Sequence, residues 1–239
     1  MNLFELERFE ERLLVNVLAE DEKNAAAVLE AGDGYVVPGI AAADFPEIDG
    51  AVERVLSLKK AAPAVSVGLG GGGSFREWER VLKIAERARP EHINQPFEKA
   101  PFVQGYLAAE GIHPVINALV SPTGEIGKVR LATGMEMEAE RFLDLAAALG
   151  IVSVKVMPVN GLAHLEELVF IAEAAAKRGI RGIEPAGGIK SEHLPVLYQA
   201  LKKTKIELIM PHIFGDVLAG KGRSDPAKVE NLFRLLKRR

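Results

Sequence analysis

The 239-residue chain is 48% hydrophobic and 26% charged, proportions that suit a folded protein with a sizeable core. Its formal net charge of −3 supplies no global positive field, so nucleic acid and anionic membranes are not expected partners. Cysteine is absent. This excludes disulfides, thiolate metal sites and a cysteine nucleophile, and it fits a reducing compartment.

The opening stretch MNLFELERFEERLLVNVLAE has charges throughout and no uninterrupted apolar core, so a cytoplasmic protein is expected. No apolar run approaches the roughly 20 residues of a membrane span. LLVNVLA (13–19) reads as a first strand and DEKNAAAVLEAG (21–32) as a helix, with Asp21 as N-cap and Gly32 at the stop. YVVPGI (35–40) and AVSVGL (64–69) read as strands, with helical stretches at 44–60 and 75–88. HINQ (92–95) is a short strand and 102–111 a short helix. PVINALV (114–120) is a fifth strand, and the turn-rich 121–134 has room for a hairpin. Helix 138–150, strand VSVKVMP (152–158) and helix 164–179 follow. GIEPAG (182–187), helix 193–203, IELIMPH (206–212) and helix 226–239 complete the chain.

These are about eight β-then-α units with short connections. Continuously apolar strands imply burial on both faces, as in parallel sheets covered by helices. One domain over residues 1–239 is expected, a (β/α)8 TIM barrel, with an open doubly wound sheet as the alternative. In a barrel the active site lies where strands end and βα loops begin.

Period-two alternation in the sixth strand puts Val152, Val154 and Val156 on one face and Ser153, Lys155 and Met157 on the other. Lys155 then points inward. Burial disfavours its charged form, and a neutral amine can attack a ketone to form an imine. A structural lysine paired with a carboxylate fits the same pattern. Glu184, inward-facing on the next strand, is either a proton-transfer group or that partner.

GGIKSEH (187–193) places Gly187 and Gly188 before a helix start, where backbone N–H groups can approach an anion. GLGGGGS (68–74), including Gly70 and Gly71, lacks a P-loop ending and reads as a close-approach loop at the barrel mouth. His92, His113, His164, His193 and His212 show no metal-ligand spacing. His212 stands apart because it ends the eighth strand. Arg223 is either a phosphate grip or a surface charge. Asn16, Asn94 and Asn117 lie in or at the ends of strands, where buried amides need partners.

Seven blocks occur in order: NVLAEDEKNA (16–25), SVGLGGGG (66–73), HINQPF (92–97), NALVSPTGEIGKV (117–129), SVKVMPVNGLAH (153–164), IEPAGGI (183–189) and MPHIF (210–214). Together they resemble the 2-dehydro-3-deoxy-phosphogluconate (KDGP) aldolase family over nearly the whole chain. The resemblance implies a barrel and a retro-aldol cleavage to pyruvate and glyceraldehyde 3-phosphate. It puts the family's SVK lysine on Lys155 and its EP-x-GGI block on 184–189. The chain departs from the family pattern at Gly70–Ser74, around 132–140, at Lys190 and across 212–226, the loops around the distal end of a substrate.

The expectation is a class I, Schiff-base aldolase acting on 2-dehydro-3-deoxy-6-phosphogluconate or a related 4-hydroxy-2-keto acid. Lys155 is the nucleophile and Glu184 relays protons. Gly187, Gly188 and Arg223 hold the phosphate, His212 is a further substrate-binding candidate at the active face, and Asn94, Asn117, Ser121, Thr123, Gly70 and Gly71 line the mouth. No metal or cofactor is called for. The partner is a small keto-sugar-acid phosphate, and a homo-oligomer is expected from apolar helix faces. The competing readings are a phosphosugar isomerase or epimerase with Glu184 as base, a metal-dependent aldolase, and a non-catalytic sugar-phosphate sensor.

Overall fold

The computed structural model describes residues 2–238; Met1 and Arg239, the ends of the expected domain, lie outside the described residues. One sheet holds eight strands. These are β1 (Val15–Leu18), β2 (Val36–Ala41), β3 (Ser66–Gly68), β4 (His92–Pro96), β5 (Val115–Val120), β8 (Ser153–Val156), β9 (Gly182–Pro185) and β10 (Leu208–Ile209). Two short antiparallel hairpins lie outside it, β6 (Lys128–Arg130) with β7 (Glu136–Glu138) and β11 (Leu218–Gly220) with β12 (Arg223–Ser224).

The eight strands pair in parallel and in chain order. A doubly wound sheet reverses its strand order at a switch point; this one keeps chain order throughout. The sheet is curled. Leu14 N–H donates to Ile209 O at 3.1 Å and Asn16 N–H to Pro211 O at 3.0 Å. Parallel bridges join Leu13 to Ile209 and Asn16 to His212.

Helices α1 (Glu22–Ala31), α2 (Ile48–Leu58), α3 (Trp78–Ala88), α4 (Ala100–Ala109), α5 (Ala139–Ala148), α6 (Leu165–Ala176), α7 (Leu194–Leu201) and α8 (Pro226–Lys237) complete the units. Their ends follow local chemistry. Asp21 caps α1 by accepting from Asn24 N–H at 2.7 Å, and Gly32 is its C-cap. Asp225 caps α8, which has Pro226 in its first turn and Arg234 and Lys237 in its last. The hairpin expected within 121–134 is present but reaches to Glu138; the β11–β12 hairpin has too few alternating residues to signal itself.

The strands divide the core in two. Val154, Val156 and Ile183 belong to the main apolar cluster with Phe142, Leu143, Leu168 and Ile171 from the helices. The other strand face carries a polar set, Ser66, His92, Asn94, Asn117, Ser153, Lys155, Glu184 and His212, all buried. Among the described residues no helix is long and apolar enough to cross a membrane.

Candidate active site

Strand register brings the polar set together. Asn94 is opposite Asn117, Asn117 opposite Ser153, and Lys155 opposite Glu184. In a parallel sheet such partners share a face, so the inward residues of five neighbouring strands stack side by side.

Lys155 is 5% exposed and Glu184 is fully buried. The two are linked through a histidine. Lys155 Nζ lies 3.2 Å from His212 Nδ1, and His212 Nε2 lies 2.8 Å from Glu184 Oε2. His92 Nε2 approaches Glu184 Oε1 at 3.1 Å, and its Nδ1 meets Ser66 Oγ at 2.8 Å. Ser153 O–H donates to Glu184 Oε1 at 2.6 Å and Asn117 N–H to Oε2 at 2.6 Å. The carboxylate cannot donate, so each histidine gives it an Nε2–H. His212 Nδ1 is then a bare acceptor aimed at Lys155, and His92 Nδ1 accepts from Ser66.

Electrostatics agree with this assignment. Burial pushes Lys155 down to about 8, against the raising field of Glu184. Burial alone would raise Glu184, but the fields and hydrogen bonds of His92 and His212 hold it well below the usual carboxylate range. Burial, reinforced by the Lys155 charge, lowers His212 to about 3, so its imidazole is neutral. At pH 7 about one Lys155 in ten is neutral, against roughly one in three thousand for an ordinary lysine.

Lys155 and His212 open into a cleft of about 480 Å³. Its walls are Met157, the Ala186–Lys190 segment after β9, and Phe214, Gly215 and Asp216 after β10. Gly187 and Gly188 have φ of +93° and +69°, a region that favours glycine. A Cβ at Gly187 would sit 2.8 Å from Pro158, so glycine lets the loops after β8 and β9 close on each other. The N–H groups of Gly187, Gly188 and Ile189 donate to no group of the chain among the described residues. A separate cavity of about 150 Å³, with Glu20, Asp44, Arg54 and Lys221 in its walls, holds none of these residues.

Lys155, His212, Gly187 and Gly188 therefore meet in one cleft. Other expected residues lie elsewhere. Glu184 sits behind His212 and does not line the cleft. Asn117 divides its two N–H groups between Glu184 and Asn94, which leaves neither for a substrate. Asn16 donates to Val37 O at 2.8 Å. Ser121 carries backbone bonds to Arg130, and Thr123 N–H donates to Glu167, so both organise the loop after β5. Gly70 packs against Ala41 and Ala43, and Gly71 approaches Ser74; Gly73 is the glycine that reaches Met157. Arg223 is exposed and paired with Glu20 at 3.3 Å, away from the cleft.

His92, Ser66, Ser153 and Asp216 went unassigned in the sequence. His92 had a signal, since period two places it on the same face as Asn94 in HINQ. Asp216 had none, because its loop carries no period.

A lysine with a lowered pKa at the mouth of a curled parallel α/β sheet defines a class of enzyme site suited to carbonyl chemistry. The chain belongs to the KDGP aldolase family, whose model matches residues 9–221, and it is accordingly an aldolase, a carbon–carbon lyase. It is 32% identical over 239 residues to the 2-dehydro-3-deoxy-phosphogluconate aldolase of Salmonella typhimurium, covering 96% of each chain. Among solved structures, phosphoribosyl anthranilate isomerase from Thermotoga maritima superposes with a TM-score of 0.60 at 13% identity, covering 95% of this chain and 99% of that one. Thiamine phosphate pyrophosphorylase from Pyrococcus furiosus gives 0.60 at 14% identity, covering 96% of each. These two likenesses concern the fold alone.

Proposed function

We propose that the chain is a Schiff-base aldolase that cleaves a 4-hydroxy-2-keto acid of the 2-dehydro-3-deoxy sugar-acid class between C3 and C4. The name of the Salmonella relative makes 2-dehydro-3-deoxy-6-phosphogluconate the first substrate to test. Neutral Lys155 Nζ attacks the C2 carbonyl, and loss of water leaves an iminium. Deprotonation of the C4 hydroxyl lets the C3–C4 bond break, releasing the aldehyde and leaving an enamine whose electrons had flowed into the iminium. Protonation at C3 and hydrolysis release pyruvate and restore the amine.

The observation that carries this reading is the buried lysine facing a cleft, with a bare imidazole nitrogen 3.2 Å from its amine. His212 Nδ1 is the nearest base. The Lys155 charge that depresses His212 disappears as the proton moves, so the acceptor strengthens as it is used. Glu184 is the anchor of this pair. It accepts from four side chains, which leaves it no free lone pair for a substrate proton. That counts against an isomerase using Glu184 as base. We also read the sheet as a closed (β/α)8 barrel, supported by the backbone bonds between its edge strands.

The test is borohydride trapping with pyruvate, followed by peptide mass spectrometry. Wild type should carry a reduced adduct on the Lys155 peptide, and Lys155→Ala should carry none. An unmodified wild type at saturating pyruvate removes the Schiff-base mechanism.

A further inference from the structure

Glu184 anchors two arms of the same make. One runs from Lys155 Nζ to His212 Nδ1 at 3.2 Å and from His212 Nε2 to Glu184 at 2.8 Å. The other runs from Ser66 Oγ to His92 Nδ1 at 2.8 Å and from His92 Nε2 to Glu184 at 3.1 Å. In each, an imidazole accepts at Nδ1 and donates from Nε2, so every hydrogen points toward the carboxylate. The arms differ at their outer ends. Lys155 and His212 open into the cleft. Ser66 and His92 are buried and do not line it. The second arm therefore meets no substrate and can act only through Glu184.

Its action follows from where His92 reaches the carboxylate. Ser153 and Asn117 each donate to one oxygen. His92 Nε2 lies 3.1 Å from both Oε1 and Oε2, so its single N–H bridges the two. Glu184 is fully buried, and burial favours a protonated carboxyl. A protonated Glu184 would donate to His212 Nε2, and the His212 hydrogen would then sit on Nδ1, against the Lys155 amine. The base would be lost and the amine's lone pair engaged. A donor shared by both oxygens opposes this, because it holds both as acceptors.

Resting on the Lys155 and His212 reading above, we propose that His92 is a positioning residue. It keeps Glu184 an acceptor on both oxygens, and so keeps His212 Nδ1 bare toward Lys155 and the substrate. Ser66 sets the His92 tautomer that this requires.

The experiment compares wild type with His92→Gln and His92→Asn. The glutamine amide N–H can take the place of Nε2 and reach Glu184. The asparagine amide takes the place of Nδ1, beside Ser66, and falls short of the carboxylate. Long-range proton–nitrogen NMR of isotope-labelled histidine reads which nitrogen of His212 carries its hydrogen. Exchange of the pyruvate methyl hydrogens in heavy water, which needs the imine and a base but no aldehyde, gives kcat and KM. Thermal melts monitor folding, and borohydride trapping of pyruvate runs in parallel. Wild-type His212 should carry its hydrogen on Nε2. In His92→Asn it should move to Nδ1, and kcat should fall about a hundredfold with KM little changed, the low end of what a positioned base contributes. His92→Gln should restore the wild-type tautomer and most of kcat. A wild-type His212 with its hydrogen on Nδ1 overturns the proposal. So does a His92→Asn protein that keeps the wild-type tautomer, or an equal loss of kcat in both variants; either leaves His92 as core packing. Where His92→Asn does not fold, the wild-type tautomer and the kcat of His92→Gln decide, and failure of either overturns the proposal. In each case an intact wild-type adduct on Lys155 leaves the Schiff-base reading standing. Loss of that adduct removes both.

Discussion

At the residue scale the chemistry depends on keeping one amine uncharged. An ammonium at the centre of a strand is costly because desolvation favours the neutral form. Here the same cost lowers Lys155 to about 8. His212 contributes an acceptor without contributing a charge, and Glu184 stabilises its tautomer from behind. The neutral amine is the reactive species, so the sign of the pH dependence follows. Trapping with pyruvate should accelerate as pH rises and level off above about 8. Initial rates of adduct formation between pH 6 and 9.5 check this. A rate already flat at pH 6.5 would mean that the amine titrates elsewhere.

At the element scale the site depends on how two βα loops approach. The segment after β8 runs against the segment after β9, and Gly161 N–H donates to Gly187 O at 3.2 Å. Gly187 makes that approach possible, because it has φ of +93° and Pro158 atoms lie where a side chain would begin. Gly187→Ala meets both obstacles. It should cost about 1–3 kcal/mol of stability and raise KM for substrate, since the displaced segment walls the Lys155 cleft. Urea melts and steady-state kinetics read the two effects. A stable variant with unaltered KM would detach Gly187 from substrate binding.

At the scale of the whole molecule, burying Lys155 opposes folding. Its folded pKa of about 8 lies below the ordinary 10.5. At 1.36 kcal/mol per pH unit this corresponds to about 3 kcal/mol of lost stability below pH 8. Between pH 8 and 10.5 the unfolded chain binds more protons than the folded one, so wild-type stability recovers as pH rises through that window. Lys155→Met removes the penalty and leaves His212 Nδ1 at a cleft that water can enter. The variant should therefore be more stable than wild type at pH 7, and its advantage should shrink toward pH 10. Paired melting curves at several pH values decide the matter; a constant difference would mean that Lys155 pays no desolvation cost in the folded protein.

The alternation of apolar strands with amphipathic helices was legible in the chain, because burial on two faces and burial on one stripe leave different periods. Lys155 and Glu184 stood out for a related reason: each is a charge on the inward side of a strand whose other side is apolar. Alternation decides which face a side chain takes, and that is a local property. Only the tertiary structure decided which inward residues meet. Parallel pairing set Lys155 beside Glu184, while the curl of the sheet brought His212 between them and His92 with Ser66 behind. Curling likewise sent Arg223 to Glu20 and Asp216 to Ser191. These contacts span up to 203 positions in the chain, and no local period records a distance of that length.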